Sequence, residues 1–307
     1  MKTLLVGYRA ADLTPELLEG DVTCHVLDVY HRHAIEKVHH AKVICSPHLP
    51  EGPWDLVRFK TGPKIHSGEL ALDLLQDCHR LGCKVSVDFV GKERDRNDLL
   101  NKIKDNPQRV RSFKAEWPAS VPAGEKLMFT SYPGCFCHRR LDEGGLALAE
   151  VVCRELCEQA TPSTNLHLLD MGCGCGLVGL LIANQLASSS MRLESLVMVD
   201  SHARAVEAAT ENAAKFGIPA EVILSDNGTP KRLDETFDVF VGNPPYYSDY
   251  RIAEVFLETA KRALKSGGVC YTVCKNAAGL EPVQKKFFSS VKLISRRGYA
   301  ILKSEKE

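Results

Sequence analysis

Three glycines at alternate positions make up the part of this sequence best suited to holding a ligand. They follow an apolar run that ends at Asp170 and precede the apolar helical pattern of residues 177–183: Gly172, Gly174 and Gly176. A strand that ends at an acidic residue, turns through glycines and opens a helix is how α/β sheets hold adenine-containing cofactors. Glycine lets the backbone approach the ligand and adopt dihedral angles that a side chain forbids. The stretch therefore predicts a cofactor site at one edge of a sheet.

Two further strand ends carry polar residues that suit a nucleoside. Residues 196–200 read as a second strand ending in Asp200, and an acid at this place accepts hydrogen bonds from the ribose hydroxyls. We include the adjacent Ser201 in the same predicted site. Residues 220–224 read as a third strand, and the Asp226 and Asn227 that follow it can recognise an exocyclic amine of adenine.

A fourth predicted strand, 237–242, leads into the tetrapeptide Asn243-Pro244-Pro245-Tyr246. An amide or exocyclic nitrogen is a poor nucleophile because its lone pair is delocalised. Two acceptors opposite its N–H bonds, the Asn243 side-chain oxygen and the Pro244 carbonyl, pull the nitrogen toward a tetrahedral shape. The prolines keep the turn rigid, and the Tyr246 ring offers a face for a planar acceptor. These residues predict methylation of a planar nitrogen, with rate gained from alignment rather than from a strong base.

Other interpretations exist for parts of this pattern. Residues 174–179 also satisfy the Gly-x-Gly-x-x-Gly pattern of dinucleotide binding, which admits an NAD-dependent dehydrogenase. A turn without chemistry and an S-adenosylmethionine-binding subunit that supports another catalyst are further alternatives. The tetrapeptide, one strand beyond the matched glycine loop, favours methyl transfer over all three.

These residues resemble class I S-adenosylmethionine-dependent methyltransferases. The order of parts over about residues 60–305 is similar to the ribosomal RNA small subunit methyltransferase C family, which methylates guanine N2. The lead-in 133–145 resembles that family's Pro-Gly-x-Phe…Leu-Asp-x-Gly segment, which implies that Phe136 and Asp142 lie against the cofactor. The same resemblance implies a methionine-binding set, a ribose-binding Asp200 and an adenine-binding pair, Asp226 and Asn227. The methionine-binding set is Asp170, Gly172, Gly174 and Gly176. We also include Asn243, beside its catalytic role, in the predicted cofactor site.

One departure from the family keeps the substrate open. The guanine N2 enzymes usually read Asn-Pro-Pro-Phe followed by His, whereas this chain has Tyr246-Tyr247. Asn-Pro-Pro-Tyr is commoner in adenine N6 and protein glutamine N5 methyltransferases. Ribosomal RNA guanine N2 is the leading prediction, and those two reactions are the alternatives.

The chain is long enough for two domains. Residues 1–125 are predicted to form a smaller α/β domain that serves as a scaffold or for substrate docking, and the family resemblance implies that it is a degenerate methyltransferase-like module. Residues 126–307 are predicted to form a Rossmann-like catalytic domain with a seven-stranded, mostly parallel sheet. Residues 116–124 are rich in turn formers and predict the linker between them. Helices are also predicted over residues 68–81, ended by Gly82, over 203–216, ended by Gly217, and over 280–289.

The composition of the chain bears on its partners, on metal sites and on its location. The 39 basic residues equal the 39 acidic ones, so net charge neither supports nor excludes an RNA partner. Residues 92–114 are locally basic, which is typical either of a solvated helix face or of a phosphate-contacting patch. No apolar run is long enough to span a membrane, no Cys or His spacing matches a metal site, and we expect a cytoplasmic protein. Oligomeric state is left open, with a monomer favoured.

Overall fold

A computed structural model describes residues 1–104, 112–122, 124–159, 165–189, 191–245 and 250–307. By their contacts the residues group into two units. The first comprises Met1–Ala115, Tyr132–His138 and His202–Arg204, and the second comprises Glu116–Ser131, Arg139–Ser201 and Ala205–Glu307.

The first unit is a five-stranded parallel sheet with helices. Its strands are β1 (Lys2–Val6), β2 (Asp21–Val26), β3 (Lys42–Cys45), β4 (Leu56–Thr61) and β5 (Lys84–Phe89), and its helices are α1 (Val29–His39), α2 (Gly68–Arg80) and α3 (Glu93–Lys104). The strand order is β3-β2-β1-β4-β5, and every pairing is parallel. Ser67 caps the start of α2 by accepting a hydrogen bond from the Leu70 amide, and Gly82 follows its end at φ +69°. The predicted C-terminal glycine cap is confirmed.

The second unit contains a seven-stranded sheet and a separate two-stranded one. Its strands are β6 (Ala115–Ala119), β7 (Leu127–Ser131), β8 (Asn165–Met171), β9 (Arg192–Asp200), β10 (Glu221–Leu224), β11 (Phe237–Gly242), β12 (Leu264–Cys274), β13 (Lys292–Arg296) and β14 (Tyr299–Glu305). Its helices are α4 (Glu143–Gln159), α5 (Leu177–Ala187), α6 (Ala203–Lys215, of which the first two residues belong to the first unit), α7 (Arg251–Ala263) and α8 (Ala277–Gln284).

The large sheet has the order β10-β9-β8-β11-β12-β14-β13. The first five strands in this order are parallel, whereas β14 is antiparallel to both of its neighbours. Its parallel part therefore has the same strand order as the first unit. The predicted mostly parallel seven-stranded sheet is confirmed.

Helix α5 has no polar face because most of its residues are buried. In α5, which follows the glycines, nine of the eleven residues are buried, and α7 packs Phe256 and Leu257 into the main core cluster. The chain order of these elements brings the ends of β8, β9, β10 and β11 to one edge of the sheet, because all four run in the same direction.

Two predicted elements were wrong in detail. Part of the predicted linker is strand β6, because Trp117 is buried and stacks on Phe129 of β7 with ring centroids 5.4 Å apart. The last helix was predicted over residues 280–289 but spans 277–284. It begins earlier because the Asn276 side chain caps it, accepting a hydrogen bond from the Ala278 amide at 3.1 Å.

Within the described residues, no helix combines the length and the apolar character that crossing a bilayer requires. Those residues likewise contain no group of three or more His, Cys, Asp or Glu side chains placed to hold a metal ion.

Candidate active site

The glycine loop between β8 and α5 has the backbone that its sequence predicts. Gly172, Gly174 and Gly176 all have positive φ, at +69°, +57° and +85°. A Cβ added at Gly172 would lie 2.6 Å from the Phe256 ring, so a side chain there has no room. A Cβ at Gly174 would meet nothing within 4 Å. Gly174 therefore presents bare backbone beside open space, which suits a bound molecule.

The acid at the end of β9 is tied to this loop. One carboxylate oxygen of Asp200, Oδ2, accepts a hydrogen bond from the Gly174 amide at 2.8 Å. Asp200 and the adjacent Ser201 are both half-buried. The structure thus brings the predicted ribose-binding residues and the predicted methionine-binding loop into one place.

Asp170 lies beneath the loop rather than at its surface. Its side chain is buried, and its Oδ2 accepts a hydrogen bond from the Gly179 amide of α5 at 2.8 Å. Burial raises the pKa of this carboxyl to about 7. From this geometry we expect Asp170 to hold β8 and α5 in register around the glycines.

The end of β10 forms a tight polar turn. The Ser225 hydroxyl donates to the Gly228 carbonyl at 2.7 Å, and Asn227 is exposed while Asp226 is half-buried. Gly228 has φ +88°, and a Cβ there would collide with Thr259. The predicted adenine-recognising pair therefore lies on a constrained turn at the same sheet edge.

Asn243 follows β11, the strand beside β8. Its side-chain Nδ2 donates a hydrogen bond to Oδ2 of Asp142 at 2.8 Å. Pro244 is buried and Pro245 half-buried, whereas Tyr246 lies outside the described residues. Asp142 directly precedes α4, and burial raises the pKa of its carboxyl.

Phe136 is placed differently from the other predicted cofactor residues. It belongs by its contacts to the first unit, and its side chain is 65% exposed. The remaining described site residues all belong to the second unit. Its predicted role beside the cofactor stays a prediction.

A buried asparagine that the sequence analysis did not single out supports the glycine loop. Asn212 of α6 is 0% exposed and donates from Nδ2 to the Cys175 carbonyl and to the Thr130 carbonyl, at 2.9 Å each. Its Oδ1 accepts from the Thr130 amide at 2.8 Å. The one signal in the sequence is an asparagine within an alanine-rich helix.

The structure places several of the clustered histidines and several residues of the basic stretch 92–114. His31 and His33 lie in α1, half-buried and exposed respectively, and the His138 ring lies 3.2 Å from a Glu69 carboxylate oxygen. In the basic stretch, Arg109 and Arg111 lie outside the described residues, and the Lys114 ammonium lies 5.7 Å from the centre of the Tyr132 ring. Four basic side chains of this stretch are exposed on or beside α3: Lys92, Arg94, Arg96 and Lys102.

Known proteins are similar to this chain at several levels. The family model for the methyltransferase small domain matches residues 126–303. The ribosomal RNA small subunit methyltransferase C of Pseudomonas aeruginosa (strain UCBPP-PA14) is 34% identical over 156 residues, which cover 48% of this chain and 42% of that protein. The protein of the same name from Marinomonas sp. is 27% identical over 285 residues, 89% of this chain and 74% of that protein. The chain spans about half the length of most of the curated relatives it matches.

A solved structure is similar over the whole chain. The 16S rRNA N2 methyltransferase of T. thermophilus, in complex with AdoMet and guanosine, has a TM-score of 0.79 and 18% sequence identity. The match covers 100% of this chain and 88% of that one. It confirms the predicted fold, a Rossmann-like methyltransferase domain with an additional N-terminal domain. Since the family model accounts for more than half of the sequence, this chain belongs to the methyltransferase small domain family.

Proposed function

We propose that this chain methylates the exocyclic N2 of guanine in ribosomal RNA, using S-adenosylmethionine as the methyl donor. The observation that carries the proposal is the place of Asn243. It lies at the end of β11, beside the strand that carries the glycine loop, with its Nδ2 bonded to Asp142. Its Oδ1 is then the end of the amide that can accept a hydrogen bond from a substrate nitrogen.

The described residues fit this cofactor. Open space beside Gly174, where a Cβ would meet nothing within 4 Å, lets a ligand approach the backbone. Asp200 and Ser201 would hold the ribose, and Asp226 and Asn227 the adenine. When bound, S-adenosylmethionine supplies a methyl group activated by a positively charged sulfur.

The protein's contribution is alignment of the acceptor nitrogen. The Asn243 Oδ1 and the Pro244 carbonyl would accept the two N–H bonds of the amine and direct its lone pair toward the methyl group. A carbon–nitrogen bond forms as the carbon–sulfur bond breaks. The methylated nitrogen is then positively charged and acidic, so its proton leaves to solvent without a strong base.

The names of the relatives support the choice of substrate. The two curated relatives described above are both called ribosomal RNA small subunit methyltransferase C, and the solved structure holds guanosine. The first unit has the strand order of the parallel part of the catalytic sheet, which supports its interpretation as a degenerate methyltransferase-like docking module. Exposed basic side chains of α3 would contact RNA phosphates.

Asn-Pro-Pro-Tyr favours adenine N6 as the second candidate acceptor, and protein glutamine is a third. The test offers labelled S-adenosylmethionine with separate pools of ribosomal subunits, naked ribosomal RNA, transfer RNA and protein. Mass spectrometry of nucleosides then identifies the product. N2-methylguanosine in ribosomal RNA is expected, whereas N6-methyladenosine or labelled protein would replace the proposal with one of the alternatives.

Replacing Asn243 by Ala tests the assigned mechanism. We expect the Kd for S-adenosylmethionine to stay nearly unchanged and turnover to fall by about 10²-fold or more, as when a positioned transition-state contact is removed. Calorimetry and single-turnover methylation measure the two quantities. Equal losses of binding and turnover would make Asn243 chiefly a cofactor-binding or folding residue.

A further inference from the structure

The carboxylate of Asp142 is fixed by donors on both of its oxygens. Oδ1 accepts the Gly144 amide at 3.0 Å, and Oδ2 accepts Nδ2 of Asn243 at 2.8 Å. The Asp142 carbonyl accepts the Leu146 amide at 2.9 Å, which anchors its backbone to the first turn of α4. An ionised carboxylate has acceptors only, so it imposes one orientation on the donors around it.

Two glycines make the space that this carboxylate occupies. A Cβ at Gly145 would come within 2.7 Å of Oδ2 of Asp142, and one at Gly144 would lie 3.1 Å from the Tyr299 ring and 3.3 Å from Oδ1 of Asp142. Under 3.0 Å something must move, so a side chain at residue 145 would displace the carboxylate. The Gly144-Gly145 pair is therefore part of what holds Asp142 against Asn243.

A carboxamide has two ends of nearly the same shape and opposite hydrogen-bonding character. If the Asn243 amide turned over, its NH₂ group would occupy the place of the acceptor oxygen and would repel the N–H bonds of an amine substrate. In the observed orientation the NH₂ end is bonded to Asp142. The opposite end, Oδ1, is then the acceptor that the reaction requires.

We propose that Asp142 is a positioning residue, which acts through Asn243 by holding its carboxamide with the oxygen toward the acceptor nitrogen. This inference rests on the proposed function for the role of Asn243. It differs from the family resemblance, which implies that Asp142 lies against the cofactor. Asp142 sets the orientation of the group that aligns the substrate and does not itself touch the reacting atoms.

Asp142→Asn is the informative substitution because it keeps the size of the side chain. Each Asp142 oxygen accepts from a donor, so an Asn there must turn its own NH₂ group toward either the Gly144 amide or Asn243. The backbone amide cannot turn over, whereas the Asn243 side chain can. The substituted protein is therefore expected to hold Asn243 in the reversed orientation.

The expected kinetic result is a fall in kcat of about 10- to 100-fold, with the Kd for S-adenosylmethionine within about threefold of wild type. The matched control is Glu143→Gln, which removes one carboxylate charge at the adjacent residue. Glu143 is 52% exposed and pairs with Arg297 at 3.3 Å, and this change should leave kcat within about twofold of wild type. The difference between the two variants separates the effect of the Asn243 orientation from the effect of losing one negative charge.

A double-mutant cycle shows whether Asp142 acts through Asn243. In the Asn243→Ala background, adding Asp142→Asn should cause no further loss of turnover. Independent, multiplicative losses would overturn the proposal. A rise in the Kd for S-adenosylmethionine as large as the loss of kcat/KM would also overturn it and would place Asp142 on the cofactor.

A spectroscopic measurement keeps this test separate from the identity of the substrate. The side-chain NH₂ resonances of Asn243, assigned from their absence in Asn243→Ala, should shift in Asp142→Asn and stay in place in Glu143→Gln. Unshifted resonances in Asp142→Asn would refute the proposed contact. If wild type methylates adenine or protein instead, the proposed guanine specificity is wrong. The same variants are then measured on that acceptor, which tests the role of Asp142 independently.

Discussion

Replacing Asn212 by Ala should strongly destabilise the second unit. The side chain is fully buried and makes three hydrogen bonds, two to backbone groups of Thr130 and one to the Cys175 carbonyl. Truncation leaves one buried donor and two buried acceptors without this partner, and each such loss costs roughly 1–3 kcal/mol. Alanine returns about 0.5 kcal/mol in helix propensity. We expect the free energy of unfolding to fall by about 3 kcal/mol or more, the lower end of this sum.

The chain offers a matched control and a local reporter. Asn184 also lies within a helix, α5, but makes a single exposed hydrogen bond to the Glu125 carbonyl at 3.2 Å, so Asn184→Ala should cost less than about 0.5 kcal/mol. The protein has two tryptophans, and Trp54→Phe leaves Trp117 as the sole one. Trp117 is buried against Phe129, next to the residue that Asn212 binds, and its fluorescence in urea reports this part of the fold.

A second consequence links Asn212 to the site. Cys175 lies between two of the loop glycines, so losing the donor to its carbonyl should loosen the loop and weaken binding of S-adenosylmethionine several-fold. Asn212→Asp should be worse than Asn212→Ala, because a carboxylate brings only acceptors to two carbonyl oxygens. Equal losses in the free energy of unfolding for Asn212→Ala and Asn184→Ala would contradict the assigned role of the Asn212 hydrogen bonds.

Two further predictions concern charge. Burial raises the pKa of Asp170 to about 7 from an ordinary value near 3.8, so its contribution to stability is complete below about pH 4 and is lost as the pH rises through about 7. Asp170→Asn should therefore lose less stability than wild type between about pH 5 and pH 8 in urea unfolding, and equal losses would contradict the assigned pKa. Neutralising basic side chains of the stretch 92–114 should weaken RNA binding and reduce the slope of log K against log salt by about one for each RNA phosphate that the protein no longer neutralises. An unchanged slope would make the stretch a solvated surface; the residues to change are Lys92, Arg94 and Arg96, with Arg109, Arg111 and Lys114 as a second set.

Local patterns were sufficient to predict the parts of the site that depend on chain order. The alternation of glycines after Asp170 predicted a positive-φ loop, because residues next to each other in sequence share one turn. The acid at the end of β9 was predicted for the same reason, and the Asp200 bond to the Gly174 amide agrees with a shared site. The helix ends at Gly82 and Gly217 were predicted from equally local sequence patterns, and both glycines have positive φ.

The prediction of a turn-rich linker at residues 116–124 missed strand β6, because composition and burial disagree there. Residues 116–124 contain prolines, alanines and a glycine, which are typical of turns. Residues 115–119 nevertheless alternate buried and exposed, and the buried Trp117 pairs with Phe129 of the neighbouring strand. Pairing between strands depends on a partner elsewhere in the chain, so composition alone underestimates it.

The sequence by itself was enough to predict the reaction class, because the motifs for that chemistry are short: a glycine loop, acids at strand ends and Asn-Pro-Pro-Tyr. Only the tertiary structure decided which end of the Asn243 carboxamide is presented and what supports the glycine loop. Asp142 and Asn243 are 101 positions apart, and Asn212 is 82 positions from Thr130. Hydrogen bonds of this kind require the parallel sheet and its helices to be packed first. A sequence also contains no information on which way the carboxamide of an asparagine points.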